Sequence, residues 1–165
     1  MNRRDIVIGF VILVLLGGVI YWRQRTQTAQ EIKTPETLSL EQQLEDRFNV
    51  EIPEGVDKAE LKDVSGSSGS GIATRKFENG KFTHSILADL PDLASGMFYE
   101  GWLVRGDQGS ENFSSLSTGK MKLAKGGWTL EFTSSRNLSD HNKVVVTLEK
   151  SNDKKPEKHI LEGGF

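Results

Sequence analysis

The stretch Gly71–Ala88, "GIATRKFENGKFTHSILA", places two β-prone runs on either side of an Asn-Gly pair at positions 79 and 80. Asn-Gly is the strongest short-range signal for a two-residue hairpin, because a type I′ turn needs positive φ at both central residues. The second run alternates, so that one face carries Phe82, His84, Ile86 and Ala88. The stretch therefore predicts an antiparallel hairpin with a shared buried face.

Other strand-like segments flank this hairpin on both sides. "KAELKDV" precedes it, and "MFYEGWLVR", "FSSLSTGKMKL", "GWTLEFTS", "KVVVTLE" and "KHILEG" follow it, separated by Gly, Asn, Asp, Ser or Lys-rich breaks. About eight strands without an intervening helical period predict an all-β, antiparallel β-sandwich over residues 59–165.

The Ser/Gly stretch at residues 65–71, "SGSSGSG", lies between two of these strand-like segments. We interpret it as a loop that joins two strands. The alternative, a phosphate-cradling Gly loop, is less favoured because no Lys-Ser/Thr pair follows.

The segment Met97–Arg105, "MFYEGWLVR", carries large apolar groups on both faces of the expected strand. This pattern predicts a strand covered on both sides, or one with a face lined by loops. Trp102 and Tyr99 are interpreted as core residues, with a binding groove as the alternative for each. The tyrosine hydroxyl needs a polar partner if it is buried. Tyr99, Trp102 and Glu149 are the candidate binding residues.

A short helix is predicted at about residues 40–48 within a linker that extends over residues 23–58. Ser39 and Gln42 have capping-box spacing, and Leu40, Leu44 and Phe48 recur at helical intervals. The polar face is acidic, which argues against an anionic bilayer, so we expect the apolar stripe to pack on the domain.

Residues 6–22, "IVIGFVILVLLGGVIYW", form a run of 17 residues without a charge. As a helix this run would reach about 25 Å, close to the hydrocarbon core of a bilayer. Tyr21 and Trp22 end the run where amphipathic rings favour the headgroup level, and arginines flank both ends. The run predicts a transmembrane signal anchor that follows a cytoplasmic head at residues 1–5.

A cleaved signal peptide is the competing interpretation of the same segment. The region after Trp22, "RQRTQTAQ", offers Ala29 as its only small cleavage candidate, with the bulky Gln27 two residues before it. We therefore expect an uncleaved, single-pass protein of the plasma membrane with its C-terminal domain outside the cytoplasm. Two arginines on each side leave the positive-inside rule nearly balanced.

Composition excludes several functional classes. The formal net charge is −2, with 21 basic and 23 acidic side chains interspersed, so there is no basic field for a nucleic-acid partner. Cys is absent, which removes disulfides, thiolate metal sites and a Cys nucleophile.

No catalytic or cofactor motif is recognised. The three histidines, His84, His141 and His159, lack metal-ligand spacing, and no Gly-x-Ser-x-Gly elbow occurs. The carboxylates considered as a glycosidase pair are Glu100, Glu131, Glu149 and Glu162, and nothing fixes their separation. We expect no enzyme, no metal and no cofactor. A cluster of His84 or His141 with Ser and Asp in one cleft would favour a hydrolase instead.

The second half of the chain, from Ile86 to Phe165, resembles the extracytoplasmic C-terminal domain of the anti-sigma-K factor family. In that family a Leu-Pro turn leads to a Tyr-x-x-Trp strand, a glycine-marked hairpin follows, and a Val-Thr-x-Glu strand precedes a Pro-containing loop. The matching positions are Leu90, Pro91, Gly96, Tyr99, Trp102, Gly119, Val146, Thr147, Glu149, Pro156 and Gly163.

The resemblance implies a β-sandwich held outside a bacterial membrane, with a sensing or interaction role. The loop "KSNDKKPEKH" departs from the Gly-rich family pattern, so a rim that faces a partner would differ. Family members that restrain a sigma factor carry a cytoplasmic helical domain, for which "MNRRD" is too short.

The sequence thus predicts an anchored envelope protein whose β domain binds another envelope protein. An accessory or sensor role in sigma-factor regulation is the alternative, and an envelope hydrolase is the third hypothesis. The sequence leaves the oligomeric state open.

Overall fold

The structure, a computed structural model, describes residues 38–165 as one helix and nine strands. The elements in chain order are α1 (Leu40–Phe48), β1 (Asp57–Asp63), β2 (Ser70–Glu78), β3 (Lys81–Asp89), β4 (Phe98–Arg105), β5 (Ser114–Lys120), β6 (Lys122–Ala124), β7 (Gly127–Ser134), β8 (Lys143–Glu149) and β9 (Lys158–Gly164). The predicted all-β class is confirmed, since the described chain is mostly antiparallel strand.

The strands form a single sheet in the order β5-β4-β8-β9-β1-β2-β3-β7-β6. The sequence predicted a sandwich of two sheets. The pairing differs because β1 bonds to β2 along most of its length and also to β9 through two residue pairs, Lys62 with Glu162 and Asp63 with Leu161. This short ladder joins two halves, β5-β4-β8-β9 and β1-β2-β3-β7-β6, into one sheet.

The segment "FSSLSTGKMKL" forms two strands where one was predicted, which raises the count from eight to nine. The backbone N–H of Met121 donates to the carbonyl oxygen of Tyr99 at 2.8 Å, between β5, which pairs with β4, and β6, which pairs with β7. Since these partners lie in opposite halves, the bent segment brings the two ends of the sheet together. The sheet is therefore nearly closed.

The predicted hairpin is present between β2 and β3. Asn79 and Gly80 have φ values of 51° and 73°, as a type I′ turn requires, and the register places Phe77 opposite Phe82. The predicted buried face, Phe82, His84, Ile86 and Ala88, points inward, and each of these residues is at most 2% exposed.

The core lies between the inner faces of the two halves. Leu61, Ala73 and Ile86 from one half and Leu103 and Val146 from the other belong to one buried cluster. At Gly101 of β4 the halves approach so closely that a Cβ atom would lie 2.8 Å from Ile86 Cδ1 and 2.9 Å from Leu130 Cδ1. A larger residue at position 101 would require these side chains to shift.

The predicted helix packs on the outer face of the sheet. Ser39 caps α1 through the predicted capping box with Gln42, and the helix ends at Asn49 in the left-handed region. Leu44 and Phe48 bury their side chains in a second cluster with Ile72 of β2. The expectation that the helix packs on the domain is confirmed.

The Ser/Gly loop connects β1 to β2, as expected. The Asp63 carboxylate accepts hydrogen bonds from the backbone N–H groups of Ser65 at 2.7 Å and Ser68 at 2.6 Å. These bonds lower the pKa of Asp63 to about 2. A phosphate-binding loop would use such backbone N–H groups to bind its phosphate. In this loop they bind the Asp63 carboxylate instead.

Within residues 38–165, no helix is long and apolar enough to cross a membrane. The predicted head and anchor and the first part of the predicted linker, together residues 1–37, lie outside the described part of the chain.

Candidate functional site

A groove of about 480 Å³ lies on the outer face of β4 and β8. Its floor consists of Trp102 and Val104 from β4 and Val145 from β8. Residues 106–108 and Phe113, from the β4–β5 loop, line one part of the groove, and Pro156 and Glu157, from the β8–β9 loop, line another. A concave site with an apolar floor and a few polar groups is typical of a binding site.

Alternation along β4 explains why both faces of this strand are apolar. Tyr99 and Leu103 belong to the core cluster, whereas Trp102 and Val104 point outward into the groove. The inner face is covered by the opposite half of the sheet. The outer face is lined by loops. A strand with one face lined by loops is the second alternative that the sequence predicts.

Trp102 lines the floor of the groove although only 1% of its surface is exposed. Its indole Nε1 donates to the Thr147 hydroxyl at 2.8 Å, and that hydroxyl lies 3.4 Å from the carbonyl oxygen of Glu100. The side chain is thus fixed by β8 and supports the groove from below. Trp102 is therefore buried, and it lies at the floor of a groove.

Tyr99 lies on the inner face and is 4% exposed. Its hydroxyl donates to the carbonyl oxygen of Pro91 at 3.3 Å, and its ring meets Trp128 edge-on, with centroids 5.0 Å apart. Burial raises the pKa of Tyr99, and the charge of Asp92 acts in the same direction. The structure places this candidate in the core, away from the groove.

Glu149 is fully buried at the end of β8. One carboxylate oxygen accepts the backbone N–H of Glu157 at 3.0 Å, and the Glu157 side chain in turn accepts the N–H groups of Lys150 and Ser151. These bonds fold the β8–β9 loop back over the strand end. The second oxygen of Glu149 has no hydrogen-bond partner among the described residues.

The other positions of the family motif lie at turns, in the core and at close approaches. Gly96 and Gly119 have positive φ values of 84° and 116°, and a Cβ atom at Gly163 would lie 2.3 Å from the carbonyl oxygen of Glu60. Leu90 and Val146 are buried in the core. Pro91 accepts the hydrogen bond of Tyr99, and Thr147 accepts that of Trp102. Pro156 lines the groove.

Charged side chains form the rim of the groove. Lys143 Nζ donates to Asp107 Oδ1 at 2.6 Å, which raises the pKa of Lys143 and lowers that of Asp107. His159 Nδ1 lies 2.6 Å from Glu162 Oε1 on the side formed by β9. Asp107, Lys143 and Phe113 were not predicted as site residues, because they come from a loop and a strand that only the fold brings together.

A second polar cluster lies at the start of β5. His141 Nδ1 is 2.7 Å from Asp140 Oδ1, and His141 Nε2 is 3.3 Å from the Ser114 hydroxyl. Arg105 pairs with the other oxygen of Asp140 and lowers the pKa of that carboxyl together with His141. A histidine between a serine and an aspartate is the arrangement of a serine hydrolase. However, His141 is only 4% exposed, and neither it nor Ser114 lines the groove.

The other two histidines lie elsewhere. His84 is 2% exposed inside the sheet, where its Nδ1 bonds to the Thr74 carbonyl oxygen at 2.9 Å and its Nε2 has no partner among the described residues. His159 is exposed on the rim. Within residues 38–165, no group of three or more His, Cys, Asp or Glu side chains is placed to hold a metal ion.

The glutamates considered as a carboxylate pair differ in their burial and in their hydrogen-bond partners. Glu100 is buried and accepts from the Ser117 hydroxyl, and Glu131 is exposed on β7. Glu149 lies under the β8–β9 loop, and Glu162 lies on the groove rim.

No protein-family model, no curated protein and no solved structure matches this chain.

Proposed function

We propose that this protein is a membrane-anchored binding module of the bacterial envelope, and that the groove above Trp102 holds part of a partner protein. The observation that carries the proposal is the groove itself. It combines an apolar floor with loops on both sides and a charged rim.

The groove is built on a rigid support. Trp102 is fixed to Thr147 by a hydrogen bond, and the β8–β9 loop is held by the Glu149 and Glu157 carboxylates. A preformed site loses little conformational entropy when a ligand binds. Phe113 remains 41% exposed at the side of the groove, and an exposed aromatic side chain of this kind is typical of protein-binding surfaces.

The anchoring part of the proposal rests on the sequence. The uncharged run at residues 6–22 is long enough to span a bilayer, and the polar domain that follows would be held at the membrane surface. A role in sigma-factor regulation is a narrower form of this proposal, in which the partner is a component of such a regulatory system.

Site-specific photo-crosslinking tests the proposal in cells that express the full chain. A benzophenone analogue of phenylalanine is placed at position 113 in the groove or at position 77 at the end of β2. Phe77 is the matched control, because both phenylalanines are 41% exposed and only Phe113 lines the groove. We expect a discrete protein adduct from position 113 and none from position 77.

Adducts of the same size and amount from both positions would mean that the groove has no special role. Absence of any adduct from position 113, with normal expression of the variant, would remove the proposed function.

The second candidate function is that of an envelope hydrolase, and the Ser114–His141–Asp140 cluster favours it. In such an enzyme His141 would take the hydroxyl proton of Ser114 as that oxygen attacks an acyl carbon, and Asp140 would hold the imidazole. A fluorophosphonate probe tests this candidate directly. Labelling of the full chain that disappears in Ser114→Ala and persists in the control Ser139→Ala would support it, and an unlabelled chain would exclude it.

A further inference from the structure

We propose that the groove takes a basic segment of a partner polypeptide, in which a lysine or arginine lies across the floor. This inference rests on the proposed function and names the class of partner. Three observations carry it: the charges that line the groove, its apolar floor, and a buried carboxylate with an unpaired oxygen beside it.

The lining of the groove has an excess of negative charge. Among the described residues, its carboxylates are Asp107, Glu157 and Glu162, and its only ammonium group is that of Lys143. Asp107 already neutralises Lys143 through their 2.6 Å contact. The other two carboxylates contact His159 Nδ1 and backbone N–H groups of the β8–β9 loop, and their negative charge attracts a cation.

The floor suits the shape of a long basic side chain. Lysine and arginine have apolar stems and a charged end, and they bury the stem on apolar surface while the charge stays at a polar rim. Val104 and Val145 supply such a surface, and Trp102, which lies opposite Val145 in the β4–β8 ladder, extends it. A polypeptide also offers further apolar contacts to Phe113.

A buried carboxylate next to the groove is not fully satisfied. Glu149 is 0% exposed and lies on the same outer face of β8 as Val145, and its Oε2 has no hydrogen-bond partner among the described residues. A buried carboxylate with an unpaired oxygen is costly, and a nearby cation reduces that cost. The field of Glu149 therefore adds to that of Glu157, which bonds to it through its backbone N–H.

Three exposed lysines of the β8–β9 loop, Lys150, Lys154 and Lys155, act against a basic partner. They do not line the groove. These lysines would favour an acidic partner segment instead. The test therefore includes a peptide with a central glutamate.

The test uses the full chain in nanodiscs of zwitterionic lipid and three fluorescein-labelled pentapeptides, Leu-Pro-X-Pro-Leu. The central residue X is arginine, its uncharged analogue citrulline, or glutamate. Fluorescence anisotropy titrations at low salt measure the dissociation constants. We expect the arginine peptide to bind most tightly and the glutamate peptide most weakly. Equal binding of the three peptides, tighter binding of the glutamate peptide, or no binding of the arginine peptide at millimolar concentration would overturn the inference.

Two variants of one ion pair give opposite expectations. Asp107→Asn removes a carboxylate and frees the Lys143 ammonium, so it should weaken binding of the arginine peptide by about two- to fivefold. Lys143→Gln removes the cation and leaves Asp107 free, so it should strengthen binding by a similar factor. Glu131→Gln, an exposed change on β7 in the other half of the sheet, is the control and should change nothing.

If Asp107→Asn and Lys143→Gln both weaken binding, the ion pair only holds the loop, and the proposed charge preference is wrong. Failure of this inference is distinguishable from failure of the proposed function. A groove-specific crosslink from position 113 without any arginine preference would retain the function and reject the partner class.

Discussion

Trp102 connects the interior of the sheet to the surface of the groove. Its indole fills the space above β4 and β8, and its N–H group satisfies the buried hydroxyl of Thr147. The side chain that forms the floor of the proposed site is therefore also a structural element of the fold.

Trp102→Ala should lower the free energy of unfolding by about 3–5 kcal/mol, because it leaves a cavity under the loops. Urea unfolding of the full chain in mild detergent measures the change. Thr147→Val is the control, since it nearly keeps the volume and removes only the hydroxyl that accepts from Trp102 and donates to the Glu100 carbonyl oxygen, at a cost of about 1–3 kcal/mol. A Trp102→Ala protein that is as stable as the original chain and loses only its partner would make Trp102 a binding residue without a structural role.

His84 is a residue whose pKa is set by its place in the core. The pKa of its imidazole is lowered from 6.5 to about 4, chiefly by burial and also by the charge of Arg75, while the bond to the Thr74 carbonyl acts in the opposite direction. Arg75 lies directly opposite His84 in the β2–β3 register, and the ring of Phe165 meets His84 edge-on.

The stability of the domain should therefore fall as the pH is lowered from 6.5 to 4. In this range the unfolded chain binds a proton at His84 and the folded chain does not, so protonation favours unfolding. The contribution of His84 should lower the free energy of unfolding by about 3 kcal/mol and level off near pH 4. Urea unfolding at several pH values measures it, and His84→Gln should remove most of this slope. An unchanged slope in that variant would assign the pH dependence to other groups.

At the scale of elements, the contact between β1 and β9 holds the two halves of the sheet together. Only two residue pairs make this ladder, and Gly163 lies next to it. A Cβ atom at Gly163 would lie 2.3 Å from the Glu60 carbonyl oxygen and 2.8 Å from Leu61 Cδ2. The backbones can approach this closely because position 163 has no side chain.

Gly163→Ala should lower the free energy of unfolding by about 1–3 kcal/mol, as overpacking does, since the clash is with a backbone atom. Gly164→Ala is the matched control in the same strand. Its added Cβ atom would meet only the Asn142 carbonyl oxygen, at 3.5 Å, so we expect little change. Thermal unfolding of both variants measures the difference in their stability. Equal stabilities would show that the β1–β9 contact adapts to the added Cβ atom.

Elements formed from neighbouring residues were predicted well from the sequence, and elements that depend on distant partners were not. The Asn79-Gly80 turn and the Ser39 cap each use interactions within a few residues, so their spacing identifies them. The bend at Met121 depends on a hydrogen bond that its backbone N–H donates to the carbonyl oxygen of Tyr99, 22 positions earlier in the chain. No sequence pattern within a few residues of Met121 predicts that bond.

At the scale of the whole molecule, the proposed function requires the domain to lie outside the cytoplasm. Protease treatment of spheroplasts that express the intact chain should digest the C-terminal domain, while an untreated sample retains the full, uncleaved length. The first part of the predicted linker, residues 23–37, is polar and offers sites for cleavage. A cytoplasmic protein in the same sample should stay protected.

Protection of the domain in this experiment would place it in the cytoplasm and remove the envelope partner from the proposal. Digestion of a chain that is already shortened would instead support a cleaved signal peptide.

By itself, the sequence determined the all-β class, the antiparallel hairpin, the capped helix and the inward and outward faces of β3. These features follow from alternation, turn residues and capping, which act over a few positions. Only the tertiary structure decided that the strands form one nearly closed sheet, that Glu149 is buried, and that Asp107, Lys143, Phe113 and Trp102 share a groove. Those outcomes depend on pairing between residues up to about a hundred positions apart, where β1 meets β9. Such contacts arise from the packing of the whole chain and leave no regular spacing to detect.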